Sequence, residues 1–144
     1  MEQLDSEMKS SFGSYKLRRY PVRKKETLRA WDAADEYVLN HLAENKLPQP
    51  DMTLLIVNDS FGGLSVPLNN FQPVVMTDSY LSMQAISSNL ESNGIDKDAV
   101  VVINSLQTPD SVLNKKADIV LIKLPKSLEM LEDQLFRIRK SLDS

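Results

Sequence analysis

The chain has 144 residues, 42% hydrophobic and 26% charged, with a formal net charge of −3, which fits an ordinary globular chain long enough for one domain with a real core. It holds no cysteine and one histidine, His41, which excludes disulfides, thiolate metal sites and a multi-histidine metal site within these residues. No apolar run approaches the ~18 residues of a membrane span, and the opening MEQLDSEMKSS has three acids and no apolar signal-peptide segment, so a cytoplasmic protein is expected.

Residues 1–14 are polar, charged and aperiodic, and are expected to form a disordered tail ahead of a single domain over 15–144. A short strand is predicted from about Ser14 to Tyr20, ended by Pro21. Charge is unevenly spread here. The run KSSFGSYKLRRYPVRKK holds seven of the 17 basic residues (Lys9, Lys16, Arg18, Arg19, Arg23, Lys24 and Lys25) and none of the 20 acids. Interleaved with Phe12, Tyr15 and Tyr20, it reads either as a nucleic-acid contact or as an edge strand protected by charge.

A helix is predicted from about Thr27, its cap, to Asn45. Leu28, Trp31, Ala34, Val38, Leu39 and Leu42 make one apolar stripe, and Pro48 and Pro50 close the helix. His41 lies on it and reads as a partly exposed helical side chain. Next comes TLLIVNDSFGGLS, Thr53 to Ser65. A buried parallel strand feeds a tight turn and a short helix that must end by Asn70. Two glycines let a backbone approach a ligand, and a helix N-terminus favours anions.

Pro73 to Thr77 is the second strand and ends at Asp78, the offset at which an acid binds a ribose hydroxyl in Rossmann-like sites. Asp59, Gly62, Gly63 and Asp78 are therefore the candidate nucleotide-binding residues, although a full G-x-G-x-x-G is absent. Asp59 and Asp78 also read as a carboxylate pair for a divalent metal, or as turn caps. Ser79 caps a helix through Asn93, with Met83, Ile86 and Leu90 inward and Gly94 beyond its end. Val100 to Ile103 is the third strand, Pro109 to Lys116 a short helix, and Asp118 to Leu124 the fourth strand. Leu128, Leu131, Leu135, Ile138 and Leu142 mark the inner stripe of a last helix.

Strands alternating with helices predict a parallel sheet with right-handed crossovers, ordered 3-2-1-4. Such sheets usually continue past the fourth strand, so a truncated half is expected. Lys123 and Lys126 flank the end of the fourth strand and suit phosphate recognition.

Several stretches carry a family resemblance. AWDAADEYVL, NDSFGGLS, the DSY at Asp78, the NGID at Asn93 and LIKLPKSLEMLEDQL resemble the N-terminal half of the ribosomal RNA large subunit methyltransferase G family. The resemblance implies a Rossmann-like methyltransferase fold that depends on S-adenosylmethionine. It further implies a full-length enzyme that methylates the exocyclic N2 of a guanine in 23S rRNA. The catalytic half of that family carries an Asn-Pro-Pro-aromatic motif after its fourth strand, where a flipped guanine is held. Here the matching turn is Lys123-Leu124-Pro125-Lys126. The resemblance therefore implies a degenerate half with no catalytic residue. Asp59, Gly62, Gly63 and Asp78 would be vestigial cofactor residues, with S-adenosylmethionine bound elsewhere in the full-length enzyme. Lys16, Arg18, Arg19, Arg23, Lys24, Lys25, Lys123 and Lys126 would contact rRNA, and the C-terminal catalytic domain would be the protein partner. The alternatives are a nucleotide-binding domain with its own activity and a purely structural pseudo-domain.

Overall fold

The computed structural model describes residues 7–21, 28–104, 117–124 and 127–139. The chain enters as an antiparallel hairpin of β1 (Glu7–Ser10) and β2 (Gly13–Lys16). This corrects the expectation of a tail over residues 1–14, of which 1–6 lie outside the described residues. Met8 is only 1% exposed, and Phe12 and Tyr15 pack with it against the main core. The anchor is tertiary: one buried methionine in a polar run leaves no period to read.

Helix α1 (Ala33–Glu44) starts later than its apolar stripe suggests. Asp32, not Thr27, caps it. The Asp35 N–H donates to Asp32 Oδ1 (3.0 Å), and the Asp32 N–H donates to Asp35 Oδ2 (3.1 Å), a reciprocal capping box with Asp at the third position. Ala30 and Trp31 are buried in the lead-in, so the stripe outruns the helix; Thr27 lies outside the described residues.

β3 (Leu54–Val57) and β4 (Val74–Met76) are buried throughout, as continuous aliphatic runs at a sheet centre should be. Between them the expected short helix is looser. The N–H groups of Val66 and Leu68 donate four residues back, and a 3-10 turn at Asn69–Phe71 ends the segment at Gln72, whose φ is +51°. Pro67 has no N–H to continue a regular helix.

Helix α2 (Tyr80–Ser92) has the predicted Ser79 cap. It also stops as predicted. Gly94 has φ +69°, its N–H donates to the Glu91 carbonyl, and the Ile95 N–H donates to the Leu90 carbonyl, which is a Schellman end. β5 (Val101–Ile103), β6 (Ile119–Ile122) and α3 (Leu128–Ile138, capped by Ser127) complete the order. The predicted helix over 109–116 lies outside the described residues.

The four long-range strands form one parallel sheet ordered β5-β4-β3-β6, the predicted order, with Leu55 paired to both Val74 and Val120. Strand alternation splits the core in two. Leu54 and Ile56 face Trp31, Leu39, Leu42, Ile86 and Leu90 of the α1 and α2 layer. Leu55 and Val57 face the other side, with Ile138 of α3. α3 is rotated from its predicted face: Leu128 is 69% and Leu135 45% exposed, while Gln134 is buried. Leu142 lies outside the described residues.

Candidate functional site

In a parallel sheet the working residues gather at the carboxyl ends of the strands. β3 ends at Asn58, held at φ +68°, a conformation that Asn tolerates better than most residues. Its side-chain amide donates to the Lys123 carbonyl (2.9 Å) and exchanges two bonds with Gln134, both 2.8 Å. That pair clamps β3, β6 and α3 together and explains the rotation of α3.

Asp59 follows and is 1% exposed. Its carboxylate accepts from the Leu64 N–H (3.3 Å) and the Ser65 N–H (2.9 Å). It therefore caps its own turn. Asp78 is exposed ahead of α2, whereas Asp59 is closed in. Among the described residues no group of three or more acids or histidines is arranged for a metal ion.

The two glycines bring protein, rather than open space, to the turn. A Cβ on Gly62 (φ +90°) would meet Val66 Cγ2 at 2.7 Å. A Cβ on Gly63 would meet Asp35 Oδ2 at 2.6 Å and Trp31 Cβ at 3.2 Å. The close approach that glycine permits is used by the N-terminus of α1.

Lys123 joins the same cluster. It continues β6, its N–H bonded to the Val57 carbonyl, and its ammonium lies 3.3 Å from Asp32 Oδ2 and 3.1 Å from Asp35 Oδ1. Asp35 is 2% exposed. Its Oδ1 has the charge contact but no aimed donor, and the hydrogen bond from Lys123 goes to Oδ2 at 3.3 Å. Burial, reinforced by nearby Asp59, pushes the Asp35 carboxyl up to about 6 against the pull of Lys123. For Lys123, burial alone would lower the ammonium, but Asp35 and Asp32 outweigh it and hold it above its ordinary value. Asp32 shows the same contest. Its partial burial raises it, while the Asp35 amide and Lys123 bring it below the usual carboxylate range. Beside this cluster a cavity of about 500 Å³ opens between α1 and β6, lined by Val38, Leu64, Ile122 and Leu124 among others.

The basic segment lies along α2. Leu17 is buried, and Lys16 and Arg18 on either side of it are exposed. The Lys16 N–H donates to Asn93 Oδ1 (2.8 Å), and Asn93 Nδ2 donates back to the Lys16 carbonyl (2.7 Å). Arg18 makes the same exchange with Asn89, at 3.0 and 2.9 Å. Arg19 turns inward. Its guanidinium carbon is 5.0 Å from the Phe61 ring centre, and Nε donates to the Arg29 carbonyl. Glu7 stands opposite Lys16 in the hairpin register. Arg23, Lys24, Lys25 and Lys126 lie outside the described residues. Sequence reasoning missed Asn89, Asn93, Asp35 and Gln134. The signal was present for two of them: Asn89 and Asn93 stand four apart on the inner stripe of α2 beside Ile86 and Leu90.

The family model described as the RLMG N-terminal domain matches residues 5–144. This chain belongs to that family. It is 39% identical to the ribosomal RNA large subunit methyltransferase G of Streptomyces griseus over 94% of its own length and 35% of the relative's. It is 44% identical to the protein of that name from Ectopseudomonas mendocina, over 91% of its own length and 34% of the relative's. The chain thus spans about a third of these curated relatives. Among solved structures, the T. thermophilus 16S rRNA N2 G1207 methyltransferase, in complex with AdoMet and guanosine, superposes with a TM-score of 0.70. At 16% identity over 95% of this chain and 38% of that one, the likeness is one of fold. It is the methyltransferase fold that the family resemblance implied.

The resemblance made Asp59, Gly62, Gly63 and Asp78 vestigial cofactor candidates. In this chain the first three do not fit S-adenosylmethionine: the space over the glycines is taken by Val66, Asp35 and Trp31, and Asp59 is spent on backbone amides.

Proposed function

We propose that this chain is the N-terminal, non-catalytic part of an S-adenosylmethionine-dependent rRNA methyltransferase that acts on the N2 of a guanine in 23S rRNA in the cytoplasm. Its part is to hold the RNA and to pack against a catalytic C-terminal domain. Membership of the RLMG N-terminal family and the names of the longer relatives support the substrate class. One structural observation carries the division of labour. At the turn after β3 the Asp59 carboxylate and the Lys123 ammonium are engaged within the protein, whereas Lys16 and Arg18 stand exposed on a backbone held from below.

RNA binding by phosphate contacts is strongly salt-dependent. Replacing Lys16, Arg18, Lys24 and Lys25 together by Ala should weaken binding of a fluorescein-labelled RNA oligonucleotide and flatten its salt dependence by about 0.7 per lost single-strand contact. Unchanged affinity and slope would remove the RNA-holding role. Calorimetric titration with S-adenosylmethionine tests the other half of the reading. A working site with ligand at ~100 times its dissociation constant would stabilise the fold by roughly 2.7 kcal/mol. Such a stabilisation, lost on Asp78→Ala, would return the domain to cofactor binding. A purely structural pseudo-domain draws support from Lys123, whose ammonium is turned inward to Asp32 and Asp35. It predicts no RNA affinity from either lysine-rich segment.

A further inference from the structure

We infer that Asn89 and Asn93 are positioning residues for RNA: they act as a surrogate strand that holds the backbone of Lys16 and Arg18 extended, so that both cations present one face to successive phosphates. The inference rests on the RNA-holding reading above and adds its mechanism.

The geometry is a match of two rises. Four residues of α-helix advance about 6 Å, and two residues of extended chain advance about 6.6 Å. Asn93 and Asn89, four apart on α2, therefore stand opposite Lys16 and Arg18, two apart on the segment that runs antiparallel to the helix. Each amide both accepts from the N–H and donates to the carbonyl of a single residue. That is the exchange a hydrogen-bonded residue makes across an antiparallel ladder. Carboxamides suit the task because each carries an acceptor and two donors. The spare donors are also used. Asn89 reaches the Phe61 carbonyl (2.7 Å), and Asn93 reaches the Asn89 carbonyl (2.6 Å), so both side chains are locked.

The consequence for the cations follows from the strand period. Leu17 points into the core, so its neighbours Lys16 and Arg18 share the outer face, about 6.6 Å apart along the chain. That separation is on the scale of one nucleotide step of an extended strand, and single-stranded RNA is tracked by such backbone-following charge. Arg19 points the other way and is held over Phe61 and by the Arg29 carbonyl. Glu7, opposite Lys16 in register, makes Arg18 the stronger of the two contacts.

The test compares three forms of the 144-residue chain, each titrated with the same fluorescein-labelled single-stranded RNA oligonucleotide across a salt series. Lys16→Ala with Arg18→Ala should lower affinity and reduce the slope of log K against log salt by about 1.4, two contacts at 0.7 each. Asn93→Leu keeps both cations but frees the backbone of Lys16, while Asn89 still holds that of Arg18. It should lower affinity roughly fivefold at every salt concentration with the slope unchanged, the scale of ordering one or two long side chains on binding. Hydrogen exchange supplies a second readout, because the Lys16 and Arg18 amides are bonded to the two carboxamides. Protection of the Lys16 amide should fall by roughly tenfold or more in Asn93→Leu, while the Arg18 amide, still bonded to Asn89, and the sheet amides keep theirs.

If the double alanine variant leaves affinity and slope unchanged, Lys16 and Arg18 do not touch RNA, and this inference falls while Lys24 and Lys25 are still tested by the quadruple variant. If the double variant weakens binding but Asn93→Leu, with amide protection lost, binds as well as the parent, the RNA reading stands and the positioning role is overturned. Retained protection in Asn93→Leu overturns it as well, since something else then holds the segment. If Asn93→Leu loses protection across the sheet, Asn93→Gln, which keeps an amide on the same helix face, should restore a folded sheet with partial protection at Lys16. Full parental affinity without that protection would again overturn the role.

Discussion

At the turn after β3, side chains close inward: Asp59 on two amides of its own loop, Asp35 on Gly63, Lys123 on Asp35 and Asp32. Along α2 the arrangement is reversed. Backbone groups close inward onto Asn89 and Asn93, and the side chains of Lys16 and Arg18 are left outside. Both stretches read as places for a phosphate-bearing ligand. What separates them is which polar groups the protein consumes for itself. A buried carboxylate or ammonium must find a partner, and once it has one inside the fold it has little left for a ligand. A backbone strip satisfied by carboxamides leaves its charged side chains unspent.

Replacing Lys123 by Met breaks the closed region most severely. Removing one partner of a buried pair strands the other, so a loss of about 3 kcal/mol is expected in urea unfolding at pH 7. The loss should shrink as pH is lowered through about 6, where the Asp35 carboxyl takes a proton. A loss independent of pH would show that the pair is not what closes this region. In the parent chain Asp35 makes a signed contribution of its own. Its carboxyl is raised from 3.8 to about 6 on folding. Its stabilising contribution is therefore complete below pH 3.8 and is lost as pH rises through about 6. Asp32, lowered on folding, acts in the opposite sense, losing its contribution as pH falls below the usual carboxylate range.

Gly63→Ala comes next. The added methyl would stand 2.6 Å from Asp35 Oδ2, on a short side chain already fixed in the capping box, so a loss of about 2 kcal/mol is expected by thermal or urea melting. A neutral result would mean that the turn has open space after all, and that a ligand has room there. Gln134→Leu should cost about 1 kcal/mol, because it leaves the buried side of Asn58 short of two bonds while the apolar volume is kept. On the open side, Lys16→Ala with Arg18→Ala should change stability by less than about 0.5 kcal/mol, since both side chains are exposed. Its effect belongs in RNA affinity and salt slope. A large stability loss there would erase the contrast between the two regions.

How much of this was legible in the chain depended on whether a feature is local. The strand order, the Ser79 cap and the Gly94 end of α2 were readable because aliphatic runs, caps and positive-φ residues are written in neighbouring residues. The hairpin over residues 7–16 was not, because Met8 and Tyr15 are ordered by a core built from distant residues. The candidate residues divided in the same way. Asp59, Gly62 and Gly63 form the tight turn read from the sequence, but their partners Asp35 and Lys123 lie 24 residues before Asp59 and 64 after it in the numbering. No local pattern says that they meet there.

The sequence by itself determined the class of fold, the family and the concentration of positive charge in one acid-free run. Each depends on composition, period or short motifs, which are set before the chain folds. Only the tertiary structure decided which face α3 buries, where the glycine turn spends its contacts, and which cations are left to solvent. Those outcomes depend on competition for a limited set of buried partners. Lys123 could find Asp32 and Asp35 only after β6 had docked beside β3, whereas Lys16 and Arg18 were left outside once their backbone was held by Asn93 and Asn89.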